Sequence, residues 1–161
     1  GGQPTDQVHR RRDPAGGEQK MAAGQDLCPV QGQAGAGAGA CHLRAFDQAE
    51  FGADAALMAG EGYVYVPRSC AGGAACALLI AFHGCAQSAR SVGDRFYAHA
   101  GFNRWADSND LIVLYPQVDA SLLNPQGCWD WFGYTGPAYA TRRGPQLVAV
   151  RAMAERLVGR R

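Results

Sequence analysis

The chain has 161 residues and a formal net charge of +1. That length suits one domain with a buried core, and the near-neutral balance gives no field to gather phosphates or acidic lipids, so the Arg10-Arg11-Arg12 cluster does not argue for nucleic acid. The longest apolar stretch, Cys76 to Phe82, falls far short of the roughly 20 residues that cross a bilayer, and no membrane span is expected.

Residues 1 to 27 are rich in Gly, Gln, Arg and Asp and lack apolar periodicity, which predicts a loose tail. Cys28 to Cys41 reads CPVQGQAGAGAGAC. Its glycines follow no apolar strand and precede no GK[ST], so a phosphate-cradling loop is not supported. A Cys28–Cys41 bridge would tie its ends, worth about 3 kcal/mol for a loop of this length. From Phe46 to Gly60 the apolar residues recur at helical spacing and end on glycine, which predicts a short helix. Tyr63 to Val66 (YVYV) predicts a strand stopped by Pro67, and Ala77 to Phe82 (ALLIAF) one buried on both faces. The CAGGAAC turn between them would be stapled by a Cys70–Cys76 bridge, and the two strands are expected to pair antiparallel.

A loop then leads into a predicted amphipathic helix beginning near Gly93-Asp94, and Leu111 to Tyr115 (LIVLY) predicts a buried strand closed by Pro116. Strand, loop, helix and strand make a βαβ unit, which implies parallel strands. Gly144 to Gly159 predicts a final amphipathic helix, with proline in its first turn. Another strand would normally follow, so the expectation is part of a larger fold.

The chemistry concentrates where ALLIAF runs into His83-Gly84-Cys85. In α/β hydrolases the loop after such a strand lends a backbone N–H to the oxyanion hole, and small residues let that backbone approach the substrate oxygen. Cys85 supplies the candidate amide. The nucleophile of such an enzyme sits in GxSxG, yet none of the five serines (69, 88, 91, 108, 121) has glycine two residues before it. A Cys85 nucleophile with His83 as its base is disfavoured, because residues two apart rarely present both side chains to one atom. Asn124 to Tyr134 (NPQGCWDWFGY) groups aromatic side chains in a turn-rich loop, and these can line an apolar cleft. Trp129 is the first candidate there and Trp131 the second. Asp110, Asp119 and Asp130 are loop carboxylates with no assignable role. The six cysteines lack paired CX2C knuckles, so no metal site is expected and disulfides in an oxidising compartment are the better reading.

Together FDQAEF, GYVYVPRSC, ALLIAFHGCAQ, FYAHAGFNRWADSNDLIVLYPQ and NPQGCWDWFGYTGPAYATRRGPQ resemble the extracellular polyhydroxybutyrate depolymerases with a circularly permuted catalytic domain. The resemblance covers residues 41 to 161 well and 28 to 40 loosely. It implies a partial α/β-hydrolase fold over residues 28 to 161, with a mostly parallel sheet and flanking helices, secreted to the outside or the periplasm. It implies the Cys85 N–H as an oxyanion donor, Trp129 as a wall of the acyl pocket, and bridges Cys28–Cys41, Cys70–Cys76 and Cys85–Cys128. His83, Gly84 and Trp131 join Trp129 as candidate substrate contacts. The family pattern places the serine, aspartate and histidine upstream of Cys28, where residues 1 to 27 match none of those segments. The resemblance thus implies an ester hydrolase of polyhydroxybutyrate or short hydroxyacyl esters, using no metal or cofactor. The chain is expected to be incomplete and inactive alone, the triad coming from a missing N-terminal segment. The alternative is a non-catalytic remnant that binds polyester or an apolar ligand.

Overall fold

The computed structural model describes residues 42–159, so the loose tail and the Cys28–Cys41 bridge expected from the sequence lie outside the described residues. Four strands form one sheet: β1 (Leu43–Asp47), β2 (Glu61–Tyr65), β3 (Ala77–Ile80) and β4 (Leu111–Tyr115). Single helical turns α1 (Arg68–Ala71) and α2 (Ala89–Val92) sit in connections, while α3 (Phe102–Asn109) and α4 (Pro145–Leu157) are the longer helices. The strand order is β1-β2-β4-β3.

The sheet is mixed rather than mostly parallel. Strands β1 and β2 pair antiparallel, as do β2 and β4, and only β3 runs parallel to β4. The expected antiparallel pairing of YVYV with ALLIAF fails because β4 lies between them. Burial explains the order. Val113, Leu114 and Tyr115 are all at most 1% exposed and need neighbours on both sides, whereas β3 borders the described sheet, with Ala77 exposed and Leu78, Leu79 and Ile80 only half-buried. The apolar run ALLIAF is therefore an edge strand among the described residues, not one covered on both faces.

Alternation along β4 builds two cores. Val113 and Tyr115 face Leu43, Ala45, Tyr63 and Ala106 of α3. Leu114 faces the other way, onto Ala56 and onto Ala149 and Met153 of α4. Helix α4 spans the predicted segment closely, with Gly144 as its N-cap and proline in its first turn. The helix expected near Gly93-Asp94 is split instead. Gly93 and Gly101 both adopt positive φ, ending α2 and delaying the next helix to Phe102. Tyr97 between them is still buried and stacks on Tyr63 at 3.7 Å between ring centres.

The helix expected from Phe46 to Gly60 is also absent. Phe46 ends in β1, and only Ala49–Phe51 forms a 3-10 turn, stopped by Gly52 at φ 82. The controlling residue is Gln48, fully buried. Its backbone N–H donates to Gly60 O (2.7 Å), and its side-chain amide donates to Ala59 O (2.7 Å) and Gln117 O (3.0 Å) while accepting from Gln117 N (3.0 Å). The segment closes as a loop around that amide. The apolar spacing that mimicked a helix comes from Ala53, Ala56 and Ala59, which this loop turns inward. Gly62 completes the arrangement, since a Cβ there would lie 2.7 Å from both the Phe46 ring and Gln48 Oε1.

Candidate active site

Strand β3 continues its pairing as Ala81 N donates to Leu114 O (2.9 Å), and the chain then leaves the sheet at Phe82-His83-Gly84. The His83 side chain points inward and is 2% exposed. Its Nε2 accepts from the Val118 amide (3.0 Å), and its Nδ1 lies 2.8 Å from Gly84 O. Burial pushes the His83 pKa down, with the Gly84 carbonyl and Asp119 acting weakly the other way. As pH falls below the ordinary histidine value of 6.5, the unfolded chain takes up the proton first, so the stability present above that pH is progressively lost. Thermal unfolding measured from pH 8 to pH 5.5 should show this slope, and His83→Gln should flatten it. An unchanged slope in the variant would assign the acid sensitivity elsewhere.

The loop beyond His83 is fixed from several sides. Gln87 N donates to Gly84 O (3.2 Å), Gly84 N donates to Gln87 Oε1 (2.9 Å), and Ala86, at φ 56, donates to Gln126 O (2.6 Å). Cys85 is bonded to Cys128. Cys128 in turn is gripped by Asn124, whose Oδ1 accepts from Cys128 N and whose Nδ2 donates to Cys128 O. Within this web the Cys85 amide donates to no protein acceptor among the described residues and lies outside regular secondary structure. A second bridge, Cys70–Cys76, closes the turn between β2 and β3.

Trp129 follows Cys128 and reaches back to the start of this turn. Its indole N–H donates to His83 O (3.1 Å), and its ring meets Phe82 edge-on at 4.8 Å. With Phe82, Tyr139, Leu147 and Val150, the indole walls a cleft of about 430 Å³. The structure thus joins Trp129 to His83 by a hydrogen bond and, through the Cys85–Cys128 bond, to the Gly84-Cys85 turn, while of these four only Trp129 lines the cleft. It does not join Trp131 to them, which is 71% exposed, touches the Phe132 ring and lies outside the cleft lining. Nor does the His83 ring offer a free nitrogen to a substrate, since both are engaged.

Two residues with clear work, Asp130 and Gln146, were given no role by the sequence. Asp130 collects backbone N–H groups from Phe132, Gly133, Tyr134 and Thr135, together with the Thr135 hydroxyl. Burial pushes its pKa up, but those donors outweigh burial and hold it below the usual carboxylate value. Gln146, on α4 and lining the cleft, accepts from Asp130 N and donates to the Tyr134 hydroxyl. Both residues shape the wall rather than react. Of the other loop carboxylates named from the sequence, Asp110 accepts from Ser69 Oγ. No group of His, Cys, Asp and Glu able to hold a metal occurs among the described residues.

No family model matches the chain. It is similar to a poly(3-hydroxybutyrate) depolymerase of Delftia acidovorans, at 42% identity over 114 residues, which are 70% of this chain and 22% of that protein. It is also similar to a polyhydroxybutyrate depolymerase of Talaromyces funiculosus, at 43% identity over 109 residues, 60% of this chain and 32% of the relative. Two solved structures agree in fold. A PHB depolymerase complexed with an R3HB trimer superposes with a TM-score of 0.68 at 39% identity, covering 73% of this chain and 40% of the other. PHB depolymerase from Penicillium funiculosum gives 0.66 at 38% identity, with the same coverage. The chain spans less than half of the length of each of these proteins.

Proposed function

We propose that this chain contributes the oxyanion loop and one cleft wall to an ester hydrolase acting on poly(3-hydroxybutyrate) or short hydroxyacyl esters. The observation that carries this reading is the Cys85 amide, left without a protein acceptor among the described residues, in a turn past the end of β3 that the Cys85–Cys128 bond and the Trp129–His83 hydrogen bond tie to the tryptophan loop. When an ester carbonyl is attacked, its oxygen becomes an alkoxide, and a preorganised N–H at that position stabilises the charge as it develops. The apolar wall of Phe82, Trp129 and Val150 suits a short hydroxyacyl unit, and the similarity to a depolymerase solved with an R3HB trimer supports that substrate class.

The nucleophile, its histidine and its aspartate belong, in this proposal, to a segment that precedes Cys28 in the family order, and none of the serines present has the GxSxG setting. The chemistry is acyl transfer to a serine followed by hydrolysis, with no metal or cofactor. The two bridges among the described residues support export to an oxidising compartment.

The test is binding of an R3HB trimer, followed by calorimetry. The wild-type chain should bind it, and Trp129→Ala should weaken binding at least tenfold, the scale of about 1.4 kcal/mol. Equal affinity in the two proteins would overturn the cleft assignment. The same chain should show no turnover of p-nitrophenyl butyrate. Turnover abolished by a serine-directed inhibitor would refute the inactive-alone reading, whereas trimer binding without turnover also fits a non-catalytic binding unit, the second reading that the serine contexts favour.

A further inference from the structure

We infer that the imidazole of His83 is the positioning group of the oxyanion donor: its Nδ1–H, held on the Gly84 carbonyl, fixes which way the Gly84–Cys85 peptide faces. The role of the Cys85 amide rests on the ester-hydrolase reading above. The orientation of the peptide rests only on the bonds around His83.

A trans peptide is planar, so the Gly84 C=O and the Cys85 N–H point in opposite directions along one rigid unit. Holding the carbonyl inward therefore holds the N–H outward. Two groups hold that carbonyl, His83 Nδ1 at 2.8 Å and the Gln87 amide at 3.2 Å. The histidine contact becomes a donated hydrogen bond through a third residue. Val118 N can only donate, and it reaches His83 Nε2 at 3.0 Å. A ring nitrogen that accepts is bare, so the single hydrogen of the neutral ring must sit on Nδ1. The chain of dependence runs from the Val118 amide, to the histidine tautomer, to the Gly84 carbonyl, to the direction of the Cys85 N–H. Burial of the ring at 2% exposure leaves it no room to swing away.

The alternative orientation would invert the chemistry. A half-turn of the Gly84–Cys85 peptide would present a carbonyl oxygen where the N–H now faces, replacing a donor with an acceptor toward a developing negative charge. Such a turn is blocked on one side by His83 and on the other by the Cys85–Cys128 bond and the Ala86 contact to Gln126.

Two substitutions separate the halves of the clamp. Asn places an amide N–H close to where Nδ1 stands and has nothing at Nε2, whereas Gln reaches the Nε2 position with an acceptor and leaves Nδ1 empty. In the full chain, carbonyl-13C glycine combined with 15N cysteine selects only two peptides, Gly84–Cys85 and Gly127–Cys128, and the second serves as an internal control. His83→Asn should keep the Gly84–Cys85 signal at its wild-type position. His83→Gln should shift it or split it into two, with the Gly127–Cys128 signal unmoved in both. Equal behaviour of the two variants, shifted or not, overturns the inference. The 15N spectrum of the wild-type imidazole gives an independent check should a variant fail to fold: the Nδ1–H tautomer is expected, and an Nε2–H ring overturns the clamp. Butyrate is then titrated into the wild-type chain as a carboxylate probe. A shift of the Gly84–Cys85 signal supports the ester-hydrolase reading, and its absence counts against that reading alone, because the substitutions already decide the clamp.

Discussion

Replacing Cys85 and Cys128 by serine should lower the unfolding free energy by about 4 kcal/mol, and the same treatment of Cys70 and Cys76 by only about 2 kcal/mol. The difference follows from loop length. The first bridge joins residues 43 apart in sequence and the second residues 6 apart, and the unfolded chain recovers more freedom when the longer loop is released. In urea, with a slope of about 2 kcal/mol per molar, the midpoints should fall by roughly 2 M and 1 M. Losses of equal size would show that local contacts rather than chain entropy dominate. The longer bridge also has a local consequence that the shorter one lacks. Breaking it leaves the oxyanion turn without a covalent tie to the tryptophan loop, held by the Trp129–His83 and Ala86–Gln126 hydrogen bonds and the packing of Trp129 on Phe82 and His83, so trimer binding should weaken in the Cys85/Cys128 variant and persist in the other.

Gln48→Leu should cost about 3 kcal/mol, although the side chains are similar in size and leucine is the more apolar. The loss comes from the partners left behind. Ala59 O and Gln117 O lose a donor and Gln117 N loses an acceptor, all in a region that the Gln48 side chain itself seals from water. A buried backbone group without a partner carries its full desolvation penalty, whereas the apolar gain of leucine is limited to one side chain. Chemical denaturation of the variant measures this directly. A loss below about 1 kcal/mol would mean that water reaches the site and replaces the amide.

Gln48 also marks where the sequence stopped being legible. Periodicity records which positions are apolar, and it located β4, α4 and the strand before the HGC turn because each buries a continuous apolar surface. It misread Phe46 to Gly60, where the inward alanines belong to a loop organised by one glutamine. A buried polar side chain leaves no periodic trace, since its partners are backbone groups distant in the chain: Gln117 lies 69 residues away. The split before α3 had a local cause, Gly93 and Gly101 at positive φ, and glycine identity alone does not tell a helix interior from a break. The sheet order was hidden for a third reason. ALLIAF and LIVLY are equally apolar as strings, and only the pairing of β2 shows which is central.

The candidate site was more readable than the fold around it, because its parts are contiguous. HGC and GCWDW each carry a turn, a cysteine and a side chain that reaches the other segment, so two short motifs joined by one bridge contain most of the geometry. Trp131 shows the limit of that logic. Motif membership nominated it together with Trp129, but residues two apart in a tight turn project differently, and only Trp129 meets Phe82 and His83.

The Asp130 carboxylate gives that contrast a physical consequence. Because it binds the main-chain amides of Phe132 through Thr135, with the Thr135 hydroxyl as its one side-chain donor, the path of the backbone there is set independently of what residues 131 and 132 carry. Substitution at those two exposed positions should therefore leave the turn, and the cleft wall that Asp130 lines, in place. A single acidic residue thereby uncouples the exposed tip of this turn from the wall beneath it.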